Sequence, residues 1–312
     1  MNLSIERIAA AAVAIDPVFK GTPQFLCDGL SGALGRPVLL KVETLNPIRS
    51  FKGRGTSWFA QSFVEKNRPV ICASAGNFGQ GVAYCGTRAG LTVRVVAATN
   101  ANPLKLEAMK RFGAEVIPHG HDFDAAKQHA LDLANKTGGY FLEDGREPAI
   151  AEGAGTIAVE LLQSASRPAA VYVPVGNGSL ICGIAAWLKA KAPDIKIIGV
   201  CPDGAPSMMH SWREGRVVTT DGVDTIADGL AVRLPVAEAV AFMRDHVDDV
   251  VLVSDARMKE AMRLLFRHAG VAIEPSGAAG LAAIMAAPRT DAPVAAILCG
   301  GNVRADLLSE LA

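Results

Sequence analysis

The chain has 312 residues, and its 31 Lys+Arg balance 31 Asp+Glu to a formal net charge of zero. That balance gives no electrostatic reason to expect a phosphate-backbone binder or a polybasic membrane anchor, so neither nucleic acid nor membrane is expected as a partner. Half of the residues are hydrophobic while only 5% are aromatic and 31 are glycine, which excludes disorder and implies a large, closely packed interior of small side chains.

At the N-terminus the apolar run 8–15 follows Glu6 and Arg7, whose charges cancel. A secretory leader would start net positive, and no apolar stretch approaches the roughly 18 residues that a membrane-spanning helix needs. Further on, short β-branched runs alternate with helix-length segments, the pattern of parallel strands joined by crossover helices. Strands are predicted at 38–43, 70–73, 93–98, 114–118, 170–175, 196–201, 249–253 and 294–299, and helices at 103–112, 123–136, 181–190 and 255–268. Gly113, Gly138 and Gly270 supply helix stops. The fold class is α/β.

Polar, proline-ended stretches at 65–69 and 145–148 mark an internal seam around several strand-helix units. The segment 202–232 is poor in strand signal and rich in Gly, Pro, Ser and Asp, and reads as an irregular excursion near a site. The six cysteines contain no CxxC and mostly sit in apolar runs. They are expected to be reduced, in a cytoplasmic protein without disulfides or a zinc site.

Four Gly/Ser/Asn-rich clusters stand out, three of them directly after a predicted strand: Ser50-Phe51-Lys52-Gly53-Arg54-Gly55, Ser74-Ala75-Gly76-Asn77, Gly176-Asn177-Gly178-Ser179 and Cys299-Gly300-Gly301-Asn302. In open α/β sheets ligands bind outside the carboxyl ends of strands, so such clusters can converge on one crevice. The loop 176–179 stands between a strand and a helix start, where free N–H groups cradle an anion or phosphate. A plain tight turn fits it equally well. The spacing Gly176, Gly178, Gly183 does not make a dinucleotide fingerprint, and no acidic residue stands at a convincing strand end about 20 residues on. Lys52, between Phe51 and Gly53, has little helical or charge-pair reason for its position. Lysine becomes a nucleophile and Schiff-base former when desolvated, whereas an ordinary lysine is a solvated surface residue.

The motifs at 44–55, 74–81, 225–229, 274–278 and 299–302 occur in order, and from about Thr22 to the end the chain resembles the fold type II pyridoxal-phosphate enzymes, in the threonine/serine dehydratase and serine racemase branch. The resemblance implies a tryptophan synthase beta-like fold of two open three-layer α/β domains with mostly parallel sheets. A large cofactor-binding domain would span 1–64 and 148–312, with a small domain, 65–147, inserted in it. It also implies pyridoxal 5'-phosphate as cofactor and a homodimer. By resemblance, Lys52 is the catalytic lysine that carries the cofactor and moves the Cα proton, and Phe51 lies against the pyridine ring. Gly176, Asn177, Gly178, Ser179 and Leu180 receive the phosphate, Asn77 the phenolic oxygen, and Cys299 stands at the pyridine nitrogen, with Glu274 close by. Ser74, Ala75, Gly76, Asn77 and Gly229 receive the substrate amino acid.

Several positions depart from the branch's pattern. Cys299 does not hold a ring proton as an aspartate would, which favours β-elimination over transamination. Ala75 stands where the racemases carry a serine that handles the proton on the opposite face, which favours elimination over racemisation. Cys201 and Ser207 replace carboxylate ligands of the branch's divalent-cation site, so no metal is expected there. The chain ends shortly after Gly301, so a C-terminal regulatory domain and feedback through it are not expected. Arg49 replaces a small residue, and its guanidinium either pairs with a second substrate carboxylate, selecting 3-hydroxyaspartate, or braces a loop. His119, His121 and His129 beside Asp122 and Asp124 read as a solvated turn, and Met208, Met209 and Trp212 as packing.

The expected activity is that of an ammonia-lyase converting a β-hydroxy amino acid such as L-threonine or L-serine to a 2-oxo acid and ammonia. A 3-hydroxyaspartate dehydratase, a racemase or β-replacement enzyme of the same fold, a nucleotide-binding oxidoreductase and a non-catalytic binding module remain as alternatives.

Overall fold

The computed structural model describes residues 1–309; positions 310–312 of the expected large domain lie outside the described residues. Helix α1 (Ile5–Ala14) is capped by Ser4, whose hydroxyl accepts from the Arg7 N–H. It is followed by β1 (Gln24–Leu26), α2 (Asp28–Leu34), β2 (Val38–Val42) and α3 (Lys52–Ser62). Next come β3 (Val70–Ala73), α4 (Asn77–Arg88), β4 (Val93–Ala97), α5 (Pro103–Arg111), β5 (Glu115–Pro118), α6 (Phe123–Thr137) and β6 (Tyr140–Phe141). The remainder runs α7 (Pro148–Leu161), β7 (Ala170–Pro174), α8 (Ser179–Lys191), β8 (Lys196–Pro202), α9 (Ser207–Glu214), α10 (Ala237–His246), β9 (Asp249–Val253), α11 (Asp255–Ala269), α12 (Pro275–Ala286), β10 (Val294–Leu298) and α13 (Ala305–Leu308).

The strands form a six-stranded sheet, β1-β2-β10-β7-β8-β9, and a four-stranded sheet, β5-β4-β3-β6. Only β1 is antiparallel to its neighbour. This connectivity positions the site. From β3 the chain steps outward to β4 and β5, then returns to place β6 on the other side of β3. In the larger sheet it steps from β7 to β8 and β9, then returns to place β10 on the other side of β7. Each sheet therefore has a topological switch point where connections diverge and leave a crevice at the carboxyl ends of the strands. The clusters at 74–77, 176–179 and 299–302 all leave from those crevices.

Helices α3, α4, α7 and α12 contain glycines that lower helix propensity, and tertiary contact explains them. A Cβ on Gly55 would strike the Ile150 carbonyl oxygen, and one on Gly183 would strike that of Ala151. Helices α3, α7 and α8 thus pack backbone against backbone. The excursion at 202–232 contains α9, whose Met208 and Met209 are buried in the large apolar cluster over α8 and β7.

A buried charge cluster ties α3 to its neighbours. Arg54, fully buried, donates to Glu43 Oε2 (2.6 Å) and Glu160 Oε2 (2.8 Å), and Lys41 Nζ donates to Glu160 Oε2 (2.6 Å). Burial opposes ionisation of Glu160, but hydrogen bonds and charge from Arg54 and Lys41 outweigh it and hold the carboxyl at about 2. All six cysteines are free and buried. No helix among the described residues is long and apolar enough to cross a membrane.

Candidate active site

A cavity of about 750 Å³ opens between the two switch points. Its floor begins with Lys52, the first residue of α3. The Phe51 N–H donates to the Cys299 carbonyl (3.0 Å), and the Ser50 hydroxyl donates to the same oxygen (3.2 Å). The lysine segment is thereby sewn to the end of β10. Lys52 Nζ donates to Asp144 Oδ2 (2.5 Å) and to Ser179 Oγ (3.1 Å), and lies 4.6 Å from the centroid of the Phe51 ring. The amine is therefore held at the mouth of the 176–179 loop.

That loop enters α8 through Gly178, whose φ of +97° lies in the left-handed region, and no side chain caps the helix. The first-turn N–H groups have no intrahelical acceptor and face the cavity. Side chains are kept out by contact: a Cβ on Gly176 would come within 2.6 Å of the Gly229 carbonyl oxygen, and one on Gly178 within 2.6 Å of the Ala239 Cβ. Gly229 itself donates to Ser276 Oγ (3.1 Å). Opposite, β3 delivers 74–77 to the start of α4. The Ser74 hydroxyl accepts from the N–H groups of Gly76 (3.2 Å) and Gly79 (3.0 Å), which shapes the turn, while the helix start leaves donors and a positive dipole end toward the cavity.

Asn77, first in α4, donates through Nδ2 to Glu274 Oε1 (2.6 Å) and accepts at Oδ1 from Asn302 Nδ2 (2.8 Å). Glu274 is 2% exposed, and its Oε2 is buried without a partner. Burial, and then the Asp228 charge, push its carboxyl up to about 7. The Cys299 thiol donates to the Ser276 carbonyl oxygen (3.6 Å). Burial and the Glu274 charge push it above the ordinary thiol range, so it is neutral.

Every site residue named from the sequence except one lines this cavity, Leu180, Ala75 and Gly229 included. The exception is Arg49. It is exposed, does not line the cavity, and adopts φ +52°; its carbonyl accepts from the Gly301 N–H (2.9 Å). The reading of Arg49 as a substrate carboxylate receptor is corrected: its backbone braces the junction of the lysine loop and the β10 loop. At the departed cation positions, Cys201 has its thiol pushed up to about 12 by burial, and the Ser207 hydroxyl donates to the Val232 carbonyl (2.6 Å). His119 and His129 stack, with ring centroids 3.8 Å apart.

The structure adds residues that sequence reasoning passed over. Asp144, after the two-residue strand β6, pairs with Lys52 and keeps its Oδ1 buried and unpartnered. The Asp144-Gly145 turn signal was legible, but its neighbour 92 residues earlier was not. Across the mouth, Lys105 of α5 pairs with Asp228 (2.5 Å), Asp124 of α6 with Arg233, and Arg146 with Glu238 (3.1 Å). Phe123 lines the same rim.

An unoccluded N–H cradle, an amine beside it and an aromatic face at the amine fit an aromatic aldehyde phosphate such as pyridoxal phosphate. Residues 15–300 match the family described as pyridoxal-phosphate dependent enzyme. The chain is 33% identical to an L-threonine ammonia-lyase of Thermotoga maritima, over 99% of this chain and 78% of that protein. It is 38% identical to the biosynthetic L-threonine dehydratase of Pasteurella multocida over 82% of this chain, but spans only 50% of that relative's length. The structure of maize serine racemase superposes with a TM-score of 0.92 at 28% identity, covering 99% of this chain and 97% of the other.

Proposed function

Because the chain belongs to the pyridoxal-phosphate dependent enzyme family, of fold type II, we propose that it is an ammonia-lyase that converts L-threonine to a 2-oxo acid and ammonia, the water lost in β-elimination being taken up again when the imine hydrolyses, with L-serine as a second substrate. The observation that carries this reading is the Lys52 amine, held between Asp144 and Ser179 at the phosphate cradle and across the cavity from the α4 start. Pyridoxal phosphate, when bound, supplies the electron sink that acidifies the Cα–H of an attached amino acid. The N–H groups of 176–180 hold its phosphate, Phe51 covers its ring, and the Asn77 amide offers a donor. Lys52 carries it and, once released, takes the Cα proton as general base. Asp144 holds the released amine in place. The α4 start receives the substrate carboxylate.

Two residues support elimination over the other chemistries of the fold. Cys299 is neutral and buried, so it provides no anion to keep a ring nitrogen protonated. Ala75 lines the cavity and carries no proton-transfer group, at the position where the racemases of the branch hold the serine that serves the opposite face. Arg49 lies outside the cavity, so it does not supply a receptor for a second substrate carboxylate. The reading includes two domains divided near 65 and 147, a homodimer, and a cytoplasmic setting consistent with six free buried cysteines.

The test is ammonia and 2-oxo acid release from threonine and serine, with the visible spectrum of the purified protein recorded alongside. Lys52→Ala is expected to lose the cofactor's lysine-linked absorbance and about 10³-fold or more in rate. A variant that keeps both removes Lys52 from the mechanism.

A further inference from the structure

Asn302 stands at the end of the β10 loop, three residues past Cys299. Its Nδ2 donates both of its protons, one to the Ile48 carbonyl oxygen (2.9 Å) and one to Asn77 Oδ1 (2.8 Å). A primary amide nitrogen only donates and a backbone carbonyl only accepts, so Ile48 fixes which way the Asn302 amide faces. That choice propagates. With Asn302 donating, Asn77 must present its oxygen to Asn302 and its NH2 to the other side, where one proton goes to Glu274 Oε1 (2.6 Å). The second Asn77 N–H has no acceptor among the described residues and belongs to a side chain that lines the cavity.

Packing leaves the chain of bonds no slack. A Cβ on Gly300 would strike Glu274 Oε1 and come within 3.0 Å of Asn77 Nδ2. The backbone thus presses directly on this contact. We propose that Asn302 is a positioning residue: through the directional chain Ile48 to Asn302 to Asn77 to Glu274 it fixes the Asn77 amide with its NH2 toward the cavity, where it donates to the oxyanion of the bound cofactor. If the amide turned over, an oxygen would face that oxyanion and repel it. This rests on the cofactor site described above but not on the identity of the substrate.

The test is a double-mutant cycle on the affinity of the cofactor-free protein for pyridoxal phosphate, read by absorbance or fluorescence titration. Asn302→Asp keeps the shape but turns the donor toward Asn77 into an acceptor, and is expected to weaken binding about tenfold and to shift the visible band of the bound cofactor. In an Asn77→Ala background the same substitution is expected to change affinity less than twofold, because the residue through which it acts is gone. Asn302→Ala, which also removes the donor, is expected to show the same loss of effect in that background, and stands in should the aspartate variant not fold. Equal losses in both backgrounds would show a merely structural residue and overturn the proposal. A parent protein that binds cofactor but does not turn over threonine would refute the substrate reading and leave this cycle intact.

Discussion

At Glu274 the site joins geometry to titration. Its carboxyl is buried against Asn77, with one oxygen left unpartnered, and is raised from an ordinary 4.5 to about 7. The unfolded chain releases this proton near 4.5 while the folded chain keeps it, so the native state binds more protons between those values. Its contribution to stability is therefore full below about pH 4.5, falls as pH rises to about 7, and is flat above. Urea unfolding of the cofactor-free protein at several pH values is expected to show Glu274→Gln gaining on the parent by up to a few kcal/mol across that window. An unchanged difference between the two proteins at all pH values would mean that the carboxyl is not held protonated. Arg49 shows the opposite case at the same scale. Its identity invited a functional reading, yet its left-handed backbone and exposed side chain make it a brace.

Among the elements, the helices carry the main difference between sequence and structure. Periodicity and glycine stops located α5, α6 and α11 almost to the residue, because their capping groups and exposed faces are local signals. Helices α3, α7 and α12 were not legible that way: their glycines lower propensity and their faces are buried nearly all round. Strands β1 and β6, of three and two residues, are too short to show alternation. The glycines of α7 and α8 exist for contact, and Gly183 tests this. Alanine would favour the isolated helix by about 1 kcal/mol, but its Cβ would meet the Ala151 carbonyl, which cannot swing aside. The clash is expected to win, with Gly183→Ala costing about 1–3 kcal/mol in thermal or urea unfolding. A stabilised variant would show that α7 and α8 are not in backbone contact.

For the molecule as a whole, two sheets are joined around one cavity, and the rim is stitched by ion pairs that run between α5, α6 or the β6 loop and the segment 228–238. Each pair has at least one partner well exposed to solvent, so each contributes little alone; their placement matters more than their energy, since they border the path into the site. On the far side, β1 ends the large sheet with an open edge on which Phe25 and Leu26 are about 40% exposed. Open, apolar edges invite pairing with another chain. This supports the proposed homodimer, for which light scattering or sedimentation is expected to return twice the 32.5 kDa chain mass. A mass of one chain at micromolar concentration would refute it.

The amino-acid sequence by itself determined the class of the fold, the strands long enough to be buried, and the ordered motifs that mark the family. Those are carried by neighbours in the chain: a β-branched run, a glycine after a helix, a lysine between Phe51 and Gly53. It also named most of the cavity wall, because the walls leave directly from strand ends. What tertiary structure alone decided were the partnerships. Asp144 meets Lys52 across 92 residues, and Asn302 meets Asn77 across 225. The direction of a hydrogen bond and the exposure of an arginine depend on which elements the switch points bring together, and no local pattern encodes that.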